Sequence, residues 1–115
     1  HMVVAQKYKK PVVLEEFGFP RDGFRFSKST STEVRDEYYQ YVFDLIRQDR
    51  ENGGLFAGCN FWAWGGFAEQ NPDHIYWEKG DDYTGDPAQE EQGLNSVFAT
   101  DTTVEIIKTE NAKLK

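Results

Sequence analysis

Two short stretches carry residues able to do chemistry. In Lys10-Pro11-Val12-Val13-Leu14-Glu15-Glu16-Phe17-Gly18, a run of β-formers leads into two carboxylates, an aromatic and a glycine. In Asn60-Phe61-Trp62-Ala63-Trp64-Gly65-Gly66, an apolar run ends in two tryptophans and a glycine pair. A carboxylate at the end of a buried strand, open to a loop mouth, is where a barrel enzyme keeps a catalytic group. A tryptophan on a neighbouring strand end would floor that site, because an aromatic ring covers the apolar C–H face of a sugar. Strand side chains alternate, so Glu15 and Glu16 are expected on opposite faces, one in the pocket and one in packing or an ion pair. The same rule predicts that Trp62 and Trp64 share a face, as a ligand platform or as core.

The elements that must position these groups follow from periodicity. Residues 11–17 are expected to form a buried strand, with Pro11 tolerated at its start. Residues 18–31 form a Gly/Pro/Ser/Thr-rich loop. Ser31 or Thr32 is expected to cap a helix over 33–51, whose apolar stripe reads Val34, Tyr38, Tyr41, Val42, Leu45 and Ile46. Asn52-Gly53-Gly54 ends it. Residues 55–64 predict a second strand, nearly continuous in apolar character, as befits a parallel strand covered on both faces. A long irregular segment, 65–100, follows, and loops of that length are usually functional. A last helix starts near Asp101 or Thr102 and carries Val104, Ile106 and Ile107. One βαβ unit plus a closing helix leaves two parallel strands without neighbours on their outer edges. The chain is expected to be part of a larger body or to pair with copies of itself.

Composition narrows the function classes. The 115 residues predict one domain at most. His1-Met2 looks like an expression-tag remnant, leaving 3–115 as the folded portion. The net charge of −7 argues against nucleic acid and against an anionic membrane surface. Aromatics make up 16% of a chain whose mean hydropathy is −0.74, which suggests a stacking surface beside a core and makes carbohydrate a natural partner. A single cysteine, Cys59, allows no internal disulfide, and with only His1 and His74 beside it no Cys/His metal cluster is expected. Cys59 is predicted to be a small buried residue rather than a nucleophile. The acidic run Asp81-Asp82-Tyr83-Thr84-Gly85-Asp86 lacks the ligand alternation of a calcium-binding hand and is expected to be a solvated turn.

Together with Gly85-Asp86-Pro87-Ala88-Gln89-Glu90-Glu91-Gln92-Gly93-Leu94-Asn95-Ser96-Val97-Phe98 and Asp101-Thr102-Thr103-Val104-Glu105-Ile106-Ile107, the two strand-end segments resemble the C-terminal part of a glycoside hydrolase family 5 endo-β-1,4-mannanase of bacterial type. The resemblance covers residues 3 to about 110. It implies an α/β fold, a C-terminal fragment of a (β/α)8 TIM barrel, with 11–17 as the seventh strand and 55–64 as the eighth. It further implies that Glu16, directly before the aromatic-glycine pair, is the nucleophile of a retaining double displacement. Trp64 or Trp62 would be the sugar platform at the cleavage point, with Trp64 the slightly favoured of the two. The family takes its acid/base from an Asn-Glu pair on the fourth strand, and its supporting Arg, His and Tyr from other strands. This chain has no Asn-Glu pair, so the resemblance implies that it is inactive alone. No cofactor is implied. The partners are a mannan or mannooligosaccharide and the remaining part of the barrel, and the expected location is secreted, periplasmic or on the cell surface.

Other residues near the strand ends are secondary candidates. Arg21, with Asp22, could reach a sugar subsite at the mouth. Trp77 is the stacking candidate of the long loop, and His74 and Tyr76 lie near it. Asp22, Glu33, Glu69 and Asp73 could approach Glu16, though no spacing demands it. Two readings compete with hydrolysis: a carbohydrate-binding module that stacks sugars on its aromatic strand ends, and a structural fragment that associates through its open strand edges.

Overall fold

A computed structural model describes residues 1–115. It contains α1 (Met2–Tyr8), β1 (Val12–Phe17), a 3-10 turn (Asp22–Phe24), α2 (Glu33–Glu51), β2 (Phe56–Phe61), β3 (Trp64–Gly66), β4 (Val97–Phe98) and α3 (Thr103–Lys113). The strands β1 and β2 pair in parallel, and α2 crosses between them. A second, short parallel pair, β3 with β4, ties the start of the long loop to its end. The radius of gyration is 16.2 Å and the longest extent 51 Å, whereas a compact body of this length would have a radius near 13 Å. Each of β1 and β2 has one unpaired edge, and α1 and β1 frame an open apolar groove beside the free edge of β1.

The core sits between the sheet and the two longer helices. Phe17, Tyr39, Val42, Ile46, Val97 and Val104 form it, with Leu14, Phe56, Cys59 and Phe61 packed against it. The buried positions of α2 are Arg35, Tyr39, Val42, Phe43 and Ile46, spaced at three and four residues. This corrects the expected stripe: Val34, Tyr41 and Leu45 are exposed. Apolar residues on both flanks of the helix blur the stripe, and the buried arginine within it is invisible to a hydrophobicity pattern. The Tyr39 ring packs 4.8 Å from Phe17 and 6.0 Å from Phe61. Its hydroxyl is buried without a partner, and burial pushes its pKa up.

Capping also differs from the expectation. Thr32 is the N-cap residue of α2 but makes no side-chain cap bond. The Asp22 carboxylate does so instead, accepting from the Glu33 and Val34 amides at 3.0 and 3.2 Å. A negative group there also suits the positive end of the helix dipole. The Ser31 hydroxyl donates to the same carboxylate, and with the two amides it holds the Asp22 pKa below the usual carboxylate range. The C-terminus follows expectation, with Gly53 at φ 71°, a conformation glycine adopts without strain.

Two further elements differ. The first residues, Met2–Tyr8, form a helix ending in a left-handed Lys9. The second strand stops at Phe61 rather than running to residue 64. Trp62 lies in a bend, the Trp62–Ala63 peptide is cis, and Trp64 begins β3. The period-two argument for a shared face of Trp62 and Trp64 therefore does not apply.

Candidate active site

The end of β1 departs from simple alternation. Its exposure pattern is half-buried Val12, exposed Val13, half-buried Leu14, exposed Glu15, exposed Glu16 and buried Phe17. Leu14 pairs with Cys59 and Phe17 with Phe61, so three steps on β1 match two on β2. That is a bulge, one extra residue in one strand, a device that re-aims side chains and is frequent beside active sites. Leu14 and Phe17 both pack on the core, and the two carboxylates between them are both exposed. The expectation of opposite faces for Glu15 and Glu16 presumes a regular strand, and the bulge interrupts it.

Beyond the bulge the two strand ends are locked together. The Trp62 amide donates to the Phe17 carbonyl at 2.6 Å. Trp62 therefore sits one backbone hydrogen bond from the residue after Glu16. Gly18 lies against the same place: a Cβ there would meet the Trp62 carbonyl oxygen at 2.5 Å. The close approach explains the glycine of the Glu-Phe-Gly run. Within a complete barrel, Gly18→Ala is expected to destabilise by about 1–3 kcal/mol and to raise KM by spreading the two strand ends. Denaturation and steady-state kinetics would check it, and an unchanged unfolding midpoint would contradict the contact.

Trp64 is set differently. It is 54% exposed on β3, and its ring meets Phe61 edge-on at 6.4 Å. Trp62 is 40% exposed. The structure brings Glu16 and Trp62 together through adjoining backbone, and Trp64 follows on the next short strand.

Arg21 does not reach a sugar. Its side chain is buried and every nitrogen is engaged. Nε donates to the Gly93 carbonyl at 2.9 Å, and the two terminal nitrogens grip both oxygens of Asp101 at 2.9 and 2.6 Å. Arg35, equally buried, donates to the carbonyls of Phe19, Leu94 and Ser96 and lies 3.6 Å from Asp101. Burial, and then the neighbouring Arg21, push the Arg35 pKa down. A partly satisfied buried guanidinium is costly, so this network fixes the loop after β1, the N-terminal turn of α2 and the segment before α3 as one unit. The long loop has its own anchors. The Asp86 carboxylate accepts from the Gly93 amide and the Ser96 hydroxyl, and the Gln92 side-chain amide donates to the carbonyls of Pro87 and Glu90. Sequence reasoning missed the anchoring roles of Arg35, Asp86, Gln92 and Asp101, and for Arg35 and Asp101 the partners lie some 60 to 80 positions along the chain.

Trp77 stacks on Tyr83 at 5.2 Å and 10°, and its indole N–H donates to the Asp81 carbonyl. One face of Trp77 is thereby covered, and Tyr83 is the outward ring at 78% exposure. His74 Nδ1 lies 2.8 Å from Asp81, whose hydrogen bond raises the imidazole pKa. Asp81 also accepts from the Asn71 side chain and the Glu78 amide. The acidic run is thus a hydrogen-bonded turn, its carboxylates occupied within the chain. Glu33 begins α2, and Glu69 pairs with Lys28 at 3.1 Å. Burial pushes the Cys59 thiol up, which fits an inert packed residue rather than a nucleophile.

Comparison with known proteins gives the family and the fold. The family model described as "GH family 5 beta-mannosidase-like" matches residues 1–115. Glycoside Hydrolase Family 5 Mannosidase from Rhizomucor miehei superposes with a TM-score of 0.80 at 40% identity, over 96% of this chain and 28% of the fungal one. The same figures hold for a glutamate-to-alanine mutant of that enzyme in complex with mannosyl-fructose. A second glutamate-to-alanine mutant also matches, at 39% identity. A plant relative, mannan endo-1,4-beta-mannosidase P of Arabidopsis thaliana, is 37% identical over 54 residues, which are 47% of this chain and 12% of that protein. The chain thus spans little more than a quarter of the solved relatives it matches.

Proposed function

The chain belongs to glycoside hydrolase family 5, in its β-mannosidase-like group, as the C-terminal part of a (β/α)8 barrel, and on that premise we propose that it supplies the nucleophile and the sugar platform for hydrolysis of β-1,4-mannosidic linkages in mannan. One observation carries this reading: Glu16, exposed at the bulge, lies one residue before the end of its strand, where the 2.6 Å Trp62–Phe17 backbone bond ties the two strand ends together.

In this mechanism Trp62 stacks on the apolar face of the sugar at the cleavage point and fixes its ring against Glu16. The Glu16 carboxylate attacks the anomeric carbon and forms a glycosyl ester as the bond to the leaving oxygen breaks. That oxygen takes a proton from a second carboxylic acid, about 5–5.5 Å from the nucleophile in retaining enzymes. In this reading that part is not taken by Asp22, which caps α2, or by Glu69, which pairs with Lys28. It falls to a segment of the barrel outside residues 1–115, so the isolated chain binds without turning over. The same carboxylate then draws a proton from water, which attacks the ester and releases a product of retained configuration. Trp62 is preferred to Trp64 as platform because it adjoins Phe17 directly.

A second reading concerns substrate length. The matched structures are called mannosidase rather than mannanase, and one holds the disaccharide mannosyl-fructose, which favours short saccharides cleaved from an end. Digestion of reduced mannopentaose within a complete barrel separates the two. Internal products of two and three units support the endo reading, and stepwise mannose release supports the terminal one. Proton NMR of the first product should show the β-anomer. An α-anomer would overturn the double displacement and with it the role of Glu16.

A further inference from the structure

A second concave site lies on the same side of the molecule, between the two loops that leave the strand ends. It is a cleft of about 390 Å³, within the range of ligand pockets. Residues 26–29 of the loop after β1 form one wall, and residues 69–74 of the long loop form the other. Both walls belong to this chain and are tied to each other. The Gln70 side chain accepts from the Lys28 amide at 2.5 Å and donates to the Phe26 carbonyl at 2.6 Å and the Gln92 carbonyl at 2.7 Å. The cleft is therefore held open in advance, which lowers the entropy a ligand must offset.

Its chemistry selects a ligand class. Lys28 Nζ reaches the Ala68 carbonyl and one oxygen of Glu69, each at 3.1 Å, leaving a proton of the ammonium free. Glu69 pairs with it through a side chain that is 79% exposed. Ser29, whose hydroxyl meets that of Ser27, and His74, whose Nδ1 is held by Asp81, complete the polar lining. The two charges cancel, so neither a cation nor an anion is favoured. What remains is a close set of donors and acceptors, the chemistry that meets vicinal hydroxyls of a neutral ring. The cleft also connects to the site already described. Lys28 Nζ lies 5.1 Å from the centre of the Phe98 ring, and that ring packs so closely on Gly65 that a Cβ there would stand 2.9 Å from it. Gly65 directly follows Trp64.

We propose that this Lys28–Glu69 cleft is a distal subsite that binds one hexose unit of the same oligosaccharide, away from the bond being cleaved. The proposal rests on the β-mannosidic reading above. It makes Lys28 and Glu69 determinants of chain length rather than catalytic residues.

The test uses a complete barrel and substrates of increasing length, from an aryl β-mannoside to mannohexaose. Glu69→Ala removes one side of the pair at an exposed position, and Ser29→Trp fills the cleft without touching the ion pair. Both are expected to raise KM for the long oligosaccharides by about three- to tenfold, the size of one lost hydrogen bond, with kcat and aryl mannoside cleavage unchanged. Binding of mannohexaose to Glu16→Gln protein, followed by calorimetry, should weaken by the same factor when Glu69→Ala is added. Equal KM values across substrate lengths in wild type and both variants would overturn the subsite, as would a uniform loss on every substrate. A wild-type barrel that cleaves neither aryl β-mannoside nor mannohexaose would instead overturn the hydrolase reading on which the subsite depends.

Discussion

Glu16→Gln within a complete barrel is expected to lower kcat by about 10³- to 10⁶-fold, the loss seen when a covalent nucleophile is removed. The substitution keeps size and shape, and Glu16 is an exposed side chain outside the ion pairs and hydrogen bonds that hold the loops. Stability should therefore stay within about 0.5 kcal/mol. The adjoining Glu15 supplies an internal control, because both carboxylates are exposed at the bulge. Glu15→Gln should cost no more than about tenfold, the effect of one hydrogen bond near the site. A 2-fluoro mannosyl inhibitor, which slows breakdown of the glycosyl ester, should add its mass to the peptide holding residues 10–21, on Glu16. Inactivation by Glu15→Gln with full activity in Glu16→Gln would reverse the assignment. Loss of activity in both variants with no trapped ester would point to electrostatic support rather than covalent catalysis.

Asp101→Ala should be the most destabilising single substitution among the polar residues. Asp101 is the only carboxylate against two buried guanidinium groups, gripped by Arg21 at 2.9 and 2.6 Å and approached by Arg35 at 3.6 Å. It also accepts from the Phe98 amide at 2.7 Å, which fixes the end of β4. Removing it leaves charges buried without a counter-ion, and breaking such a pair costs about 3–5 kcal/mol. Asp101→Asn retains an acceptor for Phe98 but not the charge, and should fall between. Arg21→Met, by contrast, removes a buried charge along with its partner's burden and should cost less than Asp101→Ala. Urea unfolding of the complete barrel gives the order. A cost under about 1 kcal/mol for Asp101→Ala would show that solvent reaches the arginines.

Much of the frame was legible because it is local. The helix over 33–51, the parallel strands on either side of it and the closing helix follow from periodicity and from the Asn-Gly-Gly stop. Glu16 and the tryptophans were legible because a carboxylate and aromatics at strand ends are unusual enough to be noticed. What escaped was non-local. The bulge cannot be read from alternation, since alternation presumes a regular strand. The role of Arg21 depends on a carboxylate 80 positions away, and no window along the chain connects them. Arg21 next to a Phe-Pro turn therefore looked like a surface residue aimed at ligand, whereas it is a buried clamp. Helix α1 escaped too: Val3 and Val4 are β-branched, and Lys9 takes the left-handed position usually given to glycine.

The Arg21–Asp101 clamp also sets a timetable for biosynthesis. The 80 positions between its partners take roughly 4–16 s to make at about 5–20 residues per second. During that interval the nascent chain carries the Glu16 strand end and Arg21, joined after 14 further positions by Arg35, without the aspartate that neutralises them. The ribosome must deliver residue 101 before the mouth of the site can set. A pause in translation between the two would prolong a state whose cationic loop is free to take the wrong carboxylate from among the chain's many.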